Sequence, residues 1–200
     1  MVMKLVDPFN FTKFDRTDAE LEAMLIFCIM FANKRADQSY TKFETFMPPG
    51  WRSPFHFIHF LIFAGHLENR LRLCKIGQYK RIEQALVGIM NLKNLRICTV
   101  ADLEKVHGIG PKTARMFLLH SRPNQRVAVL DTHVLAHLRD CGVKDVPRNT
   151  PPKGKNYERL ELEFLAYADA MAMTPAEFDA DIWARRTKSR ITTDFDRQQP

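Results

Sequence analysis

No C-x-x-C pair occurs in the chain, and the four cysteines stand apart at positions 28, 74, 98 and 141. That spacing offers neither a zinc ribbon nor the ligands of a cysteine-bound cluster, and Cys28, among apolar neighbours, reads as a buried thiol. Long hydrophobic runs are also missing. The longest, Ala23 to Ala32, stops at Asn33-Lys34-Arg35 and is too short to span a bilayer. Met1 to Pro8 lack the basic-then-apolar order of a secretory signal. Asn-Gly and Asp-Gly hairpin turns are absent, and the one strand-like stretch, Arg126 to Leu130, has no partner. These absences predict a reduced, intracellular protein without membrane attachment, metal or cofactor. The strand-like stretch is then a buried extended connector in an all-α fold.

What is present builds a core. With 46% hydrophobic and 26% charged residues among 200, the chain is long enough for one compact domain or two small lobes, and it is not a disordered segment. Thirty Lys and Arg against 23 Asp and Glu leave a net charge of +7. A surplus of that sign suits a polyanion or an acidic membrane surface, but many basic proteins bind neither.

Helical periodicity dominates the pattern. Thr17-Asp18-Ala19-Glu20 has the form of a capping box, and it opens a stripe of Leu21, Met24, Leu25, Cys28 and Phe31. Thr99-Val100-Ala101-Asp102 repeats the start signal, and Thr174-Pro175-Ala176-Glu177 adds proline at the first helical position. After Ser53-Pro54 the apolar face is predicted as Phe55, Ile58, His59, Ile62 and Phe63. Further helices fit Tyr79 to Met90, Lys112 to Leu119, Thr132 to Asp140 and Asn156 to Met171, with loops at Met47 to Gly50, Ser121 to Gln125 and Val146 to Gly154. The polar stretch after Ser189 is predicted to fray.

The most informative string is Val106-His107-Gly108-Ile109-Gly110-Pro111-Lys112-Thr113-Ala114. Glycines 108 and 110 permit a tight turn with exposed amides, Ile109 can anchor it in the core, and Pro111 starts a new helix. A helix start presents N–H groups and a positive dipole end, which suit a backbone phosphate. Such a helix-hairpin-helix predicts DNA contacts from Gly108, Ile109, Gly110 and Thr113; the plainer reading is a glycine-capped turn between two helices. Nineteen residues after Lys112, the apolar Val127-Ala128-Val129-Leu130 delivers Asp131 to the start of another helix, followed by Thr132, His133 and Val134.

With these two elements the chain resembles the helix-hairpin-helix DNA glycosylase superfamily, which includes endonuclease III and the 8-oxoguanine DNA glycosylases. The family has a glycine-rich hairpin, a lysine just after it in bifunctional members, and a downstream Asp in a Val/Leu-Asp-x-His setting; Lys112, Asp131 and His133 match these positions. Phe27 to Asn33 is similar to the early barrel helix of the archaeal type-2 8-oxoguanine glycosylases, and Ile76-Gly77-Gln78-Tyr79-Lys80-Arg81 to the turn before a barrel helix in endonuclease III. Tyr157 to Leu165 and Phe178 to Trp183 resemble the two C-terminal helices of the type-2 group, so the likeness runs roughly from Glu20 to Lys188. Two departures stand out. No cysteine follows Cys141, so the iron–sulfur loop of endonuclease III has no counterpart, and the chain continues past Lys188 to Pro200, whereas type-2 enzymes end on a base-reading lysine.

The resemblance implies two helical subdomains, 25–125 and 1–24 plus 126–200, with the active site in the cleft between them. It implies a base-excision repair glycosylase with AP-lyase activity on an oxidised purine, foremost 8-oxoguanine, acting as a monomer on double-stranded DNA in the cytoplasm, at the nucleoid or in the nucleus. Excising another modified or mismatched base, or binding DNA through the hairpin without catalysis, are the alternatives. Lys112 lies in a first helical turn, where the dipole and Arg115 one turn later disfavour an ammonium and favour a nucleophilic amine. It can equally be a phosphate contact. Asp131 can oppose positive charge on the sugar or merely cap its helix. His133 is either a phosphate donor or a helix-surface histidine. The base must be flipped into a pocket, for which Asn33, Trp183, Asp179 and Phe178 are candidates, with core packing the plainer role for Phe178 and a surface charge for Asp179. Arg70, Arg72, Lys75, Lys80 and Arg81 touch phosphates or form a solvated basic face, as do Lys153, Lys155, Arg185 and Arg186.

Overall fold

The computed structural model describes residues 6–7, 10–31, 36–48, 50–51 and 53–196. The fold is all-α, as the pattern predicts. Its helices are α1 (Asp18–Phe31), α2 (Ala36–Phe46), α3 (Pro54–Phe63), α4 (Leu67–Leu73), α5 (Tyr79–Ile89), α6 (Val100–Glu104), α7 (Pro111–Ser121), α8 (Thr132–Asp140), α9 (Lys155–Ala170) and α10 (Pro175–Asp196). Three predicted capping boxes are formed. In the first, the Thr17 amide donates to Glu20 at 2.7 Å and the Glu20 amide to Thr17 Oγ1 at 3.3 Å; Thr99 with Asp102 and Thr174 with Glu177 repeat it. Past Ser189 the chain stays helical to Asp196 where fraying was predicted, because extending a formed helix costs far less than nucleating one.

The chain divides into two compact units, Met1–Arg122 and Pro123–Pro200. The N-terminal stretch up to residue 24, grouped by the resemblance with the C-terminal segment, counts with the first unit. There Leu21 is in the core, Phe11 packs against it, and the Lys13 amide donates to His120 O at 3.1 Å.

In the first unit α1 is central, with every residue from Ala23 to Met30 buried and with α2, α3, α5 and α7 packed around it. On α3 the buried face is Phe57, Ile58 and Leu61, while Phe63 is 87% exposed. The predicted stripe is therefore rotated. This helix is apolar almost all round, so periodicity cannot select its inner face. Arginines stabilise the chain ends between helices by donating to carbonyls left without a helical partner. Arg70 donates to Thr45 O and Phe46 O at the end of α2, Arg122 to Leu95 O and Cys98 O, and the buried Arg16 to Phe11 O.

The second unit shows why a lone extended segment needs no sheet. Its peptide groups bond to side chains. The Ala128 amide donates to Glu161 at 2.8 Å, Tyr157 Oη donates to Ala128 O at 2.8 Å, and Thr150 Oγ1 donates to Leu130 O at 2.7 Å. Ala128 and Leu130 are fully buried with Val134, Leu138, Tyr157, Phe164 and Phe178 in the core of α8, α9 and α10. Among the described residues no helix is long and apolar enough to cross a membrane.

Candidate active site and nucleic-acid interface

In the first unit α6 and α7 form the predicted helix-hairpin-helix. Val106 and Ile109 are buried beneath the turn, and the Ile109 amide closes it by donating to Val106 O at 3.1 Å. Gly108 has φ 87, and a Cβ there would lie 2.8 Å from Arg81 O. Both conformation and space therefore demand glycine. Gly110 differs: its φ is −91 and a Cβ would meet nothing within 4 Å, so the free fold has no need of glycine there. Arg81 straps the hairpin to the unit, donating to Gly108 O at 2.7 Å, Ile29 O at 3.0 Å and Gln78 Oε1 at 2.6 Å. Glu104 and Arg115 join α6 to α7 in a buried ion pair at 2.9 Å.

Lys112 occupies the first turn of α7, whose N-cap is Gly110, a residue with no side chain to cap that start. Its charge is felt by Cys28 in α1. Burial pushes the Cys28 thiol up to about 12, with Arg16 and Lys112 pulling it down, so the cysteine is a neutral neighbour of the amine at physiological pH. Arg115, predicted to repel charge on Lys112, has its own charge matched by Glu104.

In the second unit the connector ends at Asp131, the N-cap of α8. Its Oδ1 accepts from the amides of His133 and Val134, each at 2.8 Å, and its Oδ2 accepts from Trp183 Nε1 at 2.9 Å. Asp131 is 7% exposed. The His133 ring is buried against the Trp183 indole, centroids 4.9 Å apart.

Against known proteins, the family model for 8-oxoguanine DNA glycosylase matches residues 2–173. The chain belongs to the 8-oxoguanine DNA glycosylase family. Solved structures agree on the fold. An 8-oxoguanine glycosylase/lyase of Methanocaldococcus jannaschii, in complex with a 15mer DNA containing 8-oxoguanine, superposes with a TM-score of 0.65 at 20% identity, over 90% of this chain and 87% of that one. The 8-oxoguanine DNA glycosylase of Thermotoga maritima superposes at 0.61 with 23% identity, over 84% and 80%. No curated protein matches the sequence.

Within this glycosylase the predicted site residues have separate fates. Gly108, Ile109, Gly110, Lys112 and Thr113 lie together on the hairpin, with Ile109 and Thr113 buried. Asp131, His133 and Trp183 form one cluster in the second unit. Phe178 is corrected to a core residue, 2% exposed, packed on Phe164 and His137, and so offers no face to a base. Asp179 is buried on α10 rather than a surface charge, and Asn33 lies outside the described residues. The predicted basic cluster is also partly structural: Arg70 and Arg81 hold carbonyls, and Arg72 pairs with Glu68 and stacks over the Tyr79 ring, 4.6 Å from its centroid.

Sequence reasoning missed Gly88, near the C-terminal end of α5. A Cβ there would come within 2.6 Å of Val106 Cγ1, so this glycine in α5 lets the hairpin seat closely. A glycine inside a helical pattern was the available signal. The bond from Trp183 to Asp131 had no such signal.

Proposed function

We propose that this glycosylase removes 8-oxoguanine from duplex DNA and then nicks the strand, with Lys112 as nucleophile and Asp131 as the carboxylate that opposes positive charge on the sugar. The neutral Lys112 amine attacks C1′ of the flipped nucleotide. The C1′–N9 bond breaks, its electron pair leaves with the base, and the base takes a proton. Opening of the sugar gives a protonated imine on Lys112. Loss of a C2′ proton then expels the 3′ phosphate, and water hydrolyses the imine to restore the amine. Asp131 stabilises the cationic sugar as the glycosidic bond lengthens. Gly108, Gly110 and the α7 start hold a backbone phosphate, whereas His133, buried against Trp183 rather than on the helix surface, gives its backbone amide to Asp131. Such an enzyme works wherever the cell keeps its DNA, at a nucleoid or in a nucleus.

One observation carries the reading: the residue after the hairpin proline is a lysine in the first turn of a helix whose N-cap is glycine, in a chain of this family. Phosphate binding by a hairpin needs no lysine there. Borohydride trapping on duplexes with single defined lesions tests it. A covalent adduct on the 8-oxoguanine duplex, absent with Lys112→Gln, is the expected result. Duplex binding without an adduct on any lesion would leave a hairpin that binds DNA and does no lyase chemistry.

A further inference from the structure

The candidate carboxylate is held by more than its helix. For a helix N-cap one carboxylate oxygen is enough, and Oδ1 of Asp131 fills that role with two amides at 2.8 Å. The second oxygen of a capping Asp ordinarily faces water. Here Asp131 is 7% exposed, and Oδ2 receives the indole N–H of Trp183 from α10, 52 residues away in sequence, at 2.9 Å. Trp183, itself 36% exposed, packs its indole at a 51° tilt against the His133 ring with centroids 4.9 Å apart, and its neighbours on α10, Phe178 and Ile182, are 2% exposed in the core. Three N–H donors from two elements leave the carboxylate a single orientation.

We infer that Trp183 is a positioning residue for excision: its indole N–H holds Oδ2 of Asp131 so that the carboxylate keeps the orientation required to stabilise the cationic sugar. The inference rests on the catalytic role proposed for Asp131. It assigns Trp183 a function different from base stacking, since the acting group is the N–H and not the ring face. The chemistry gives such a residue leverage. A carboxylate stabilises developing charge in proportion to how closely its oxygens approach it, and a buried one that loses a donor turns toward whatever donor remains.

Single-turnover excision and duplex affinity, measured separately on 8-oxoguanine DNA, test this. Trp183→Phe keeps an aromatic ring and removes the donor; a tryptophan analogue with sulfur in place of the indole N–H keeps shape and stacking as well. Both should slow excision about 10- to 100-fold, as expected for one lost hydrogen bond to a charged group, and leave duplex affinity within about threefold. Combined with Asp131→Asn, Trp183→Phe should add no further loss, because both changes remove the same charged contact. Three results would overturn the inference: full excision rate with the sulfur analogue, a loss confined to affinity, or losses that multiply in the double variant. The sulfur analogue also decides the matter if Trp183→Phe folds poorly. Undiminished excision with Asp131→Asn sinks the role of Asp131 itself, whereas a large loss there beside a silent Trp183→Phe sinks only the positioning role.

Discussion

The two helix starts that carry the proposed nucleophile and the proposed carboxylate are built differently. At α7 the N-cap is a glycine, which has no side chain to cap the start, and the turn before it is set by a positive φ at Gly108, a close approach at Gly88 and a strap from the Arg81 side chain. At α8 the cap is Asp131, whose carboxylate takes two of the starting amides, and the preceding chain is held by side chains of α9, Tyr157 and Glu161. A helix start is an anion site only while its donors are not used by the protein. The first start is suited to a phosphate; the second uses its donors to fix a carboxylate. In the proposed reading the first start holds a phosphate and carries the Lys112 nucleophile, while the second uses its dipole and donors to fix the carboxylate.

The largest effects separate these roles directly. Lys112→Gln should lower strand nicking and borohydride trapping by at least about 1,000-fold while duplex affinity changes only a few-fold, because it removes the nucleophile and leaves the turn intact. Asp131→Asn still caps α8 and should slow excision about 100- to 1,000-fold with little change in thermal midpoint; equal loss of activity and stability would make Asp131 a cap only.

Next come changes to how each start is supported. Gly108→Ala meets both a positive φ and Arg81 O, and should cost about 1–3 kcal/mol in denaturant unfolding. Gly110→Ala meets neither. It should leave stability unchanged and weaken duplex binding about tenfold, since the new methyl stands where a phosphate approaches. If both variants behave alike, the contrast between the two glycines fails. In the other unit, Tyr157→Phe removes the donor to the buried Ala128 O and should cost about 1–3 kcal/mol, read as a lower denaturation midpoint.

The smallest effect is a pH response of the second unit. Burial first, then Arg186 and Arg185, lower the His137 pKa from its ordinary 6.5, against a weaker pull from Asp140 and Asp181. The unfolded chain therefore takes up a proton that the fold resists. Stability from this residue is full above pH 6.5 and is lost as pH falls through the lowered folded value. Thermal midpoints at falling pH should show the decline, and His137→Gln should flatten it.

Local signals account for what was legible beforehand. The capping boxes at Thr17, Thr99 and Thr174, the span of α8, the hairpin turn and the capping position of Asp131 each depend on residues within a few places of one another. The inner face of α3 was misjudged because an all-apolar helix carries no directional pattern. The basic surplus was also ambiguous, since an arginine that binds a carbonyl looks the same in sequence as one that awaits a phosphate. Arg16, Arg70, Arg81 and Arg122 are of the first kind.

By itself, the sequence determined an all-α chain with an amine after a glycine-rich hairpin and a carboxylate at a helix start, because caps, turns and proline act over one helical turn. Only the tertiary structure decided that Arg81 straps Gly108, that Glu104 matches Arg115, and that Trp183 holds the second oxygen of Asp131. Those contacts join residues 11 to 52 positions apart, and burial sets which of them form, since a polar group removed from water must find its partner in whatever segment the packing brings beside it.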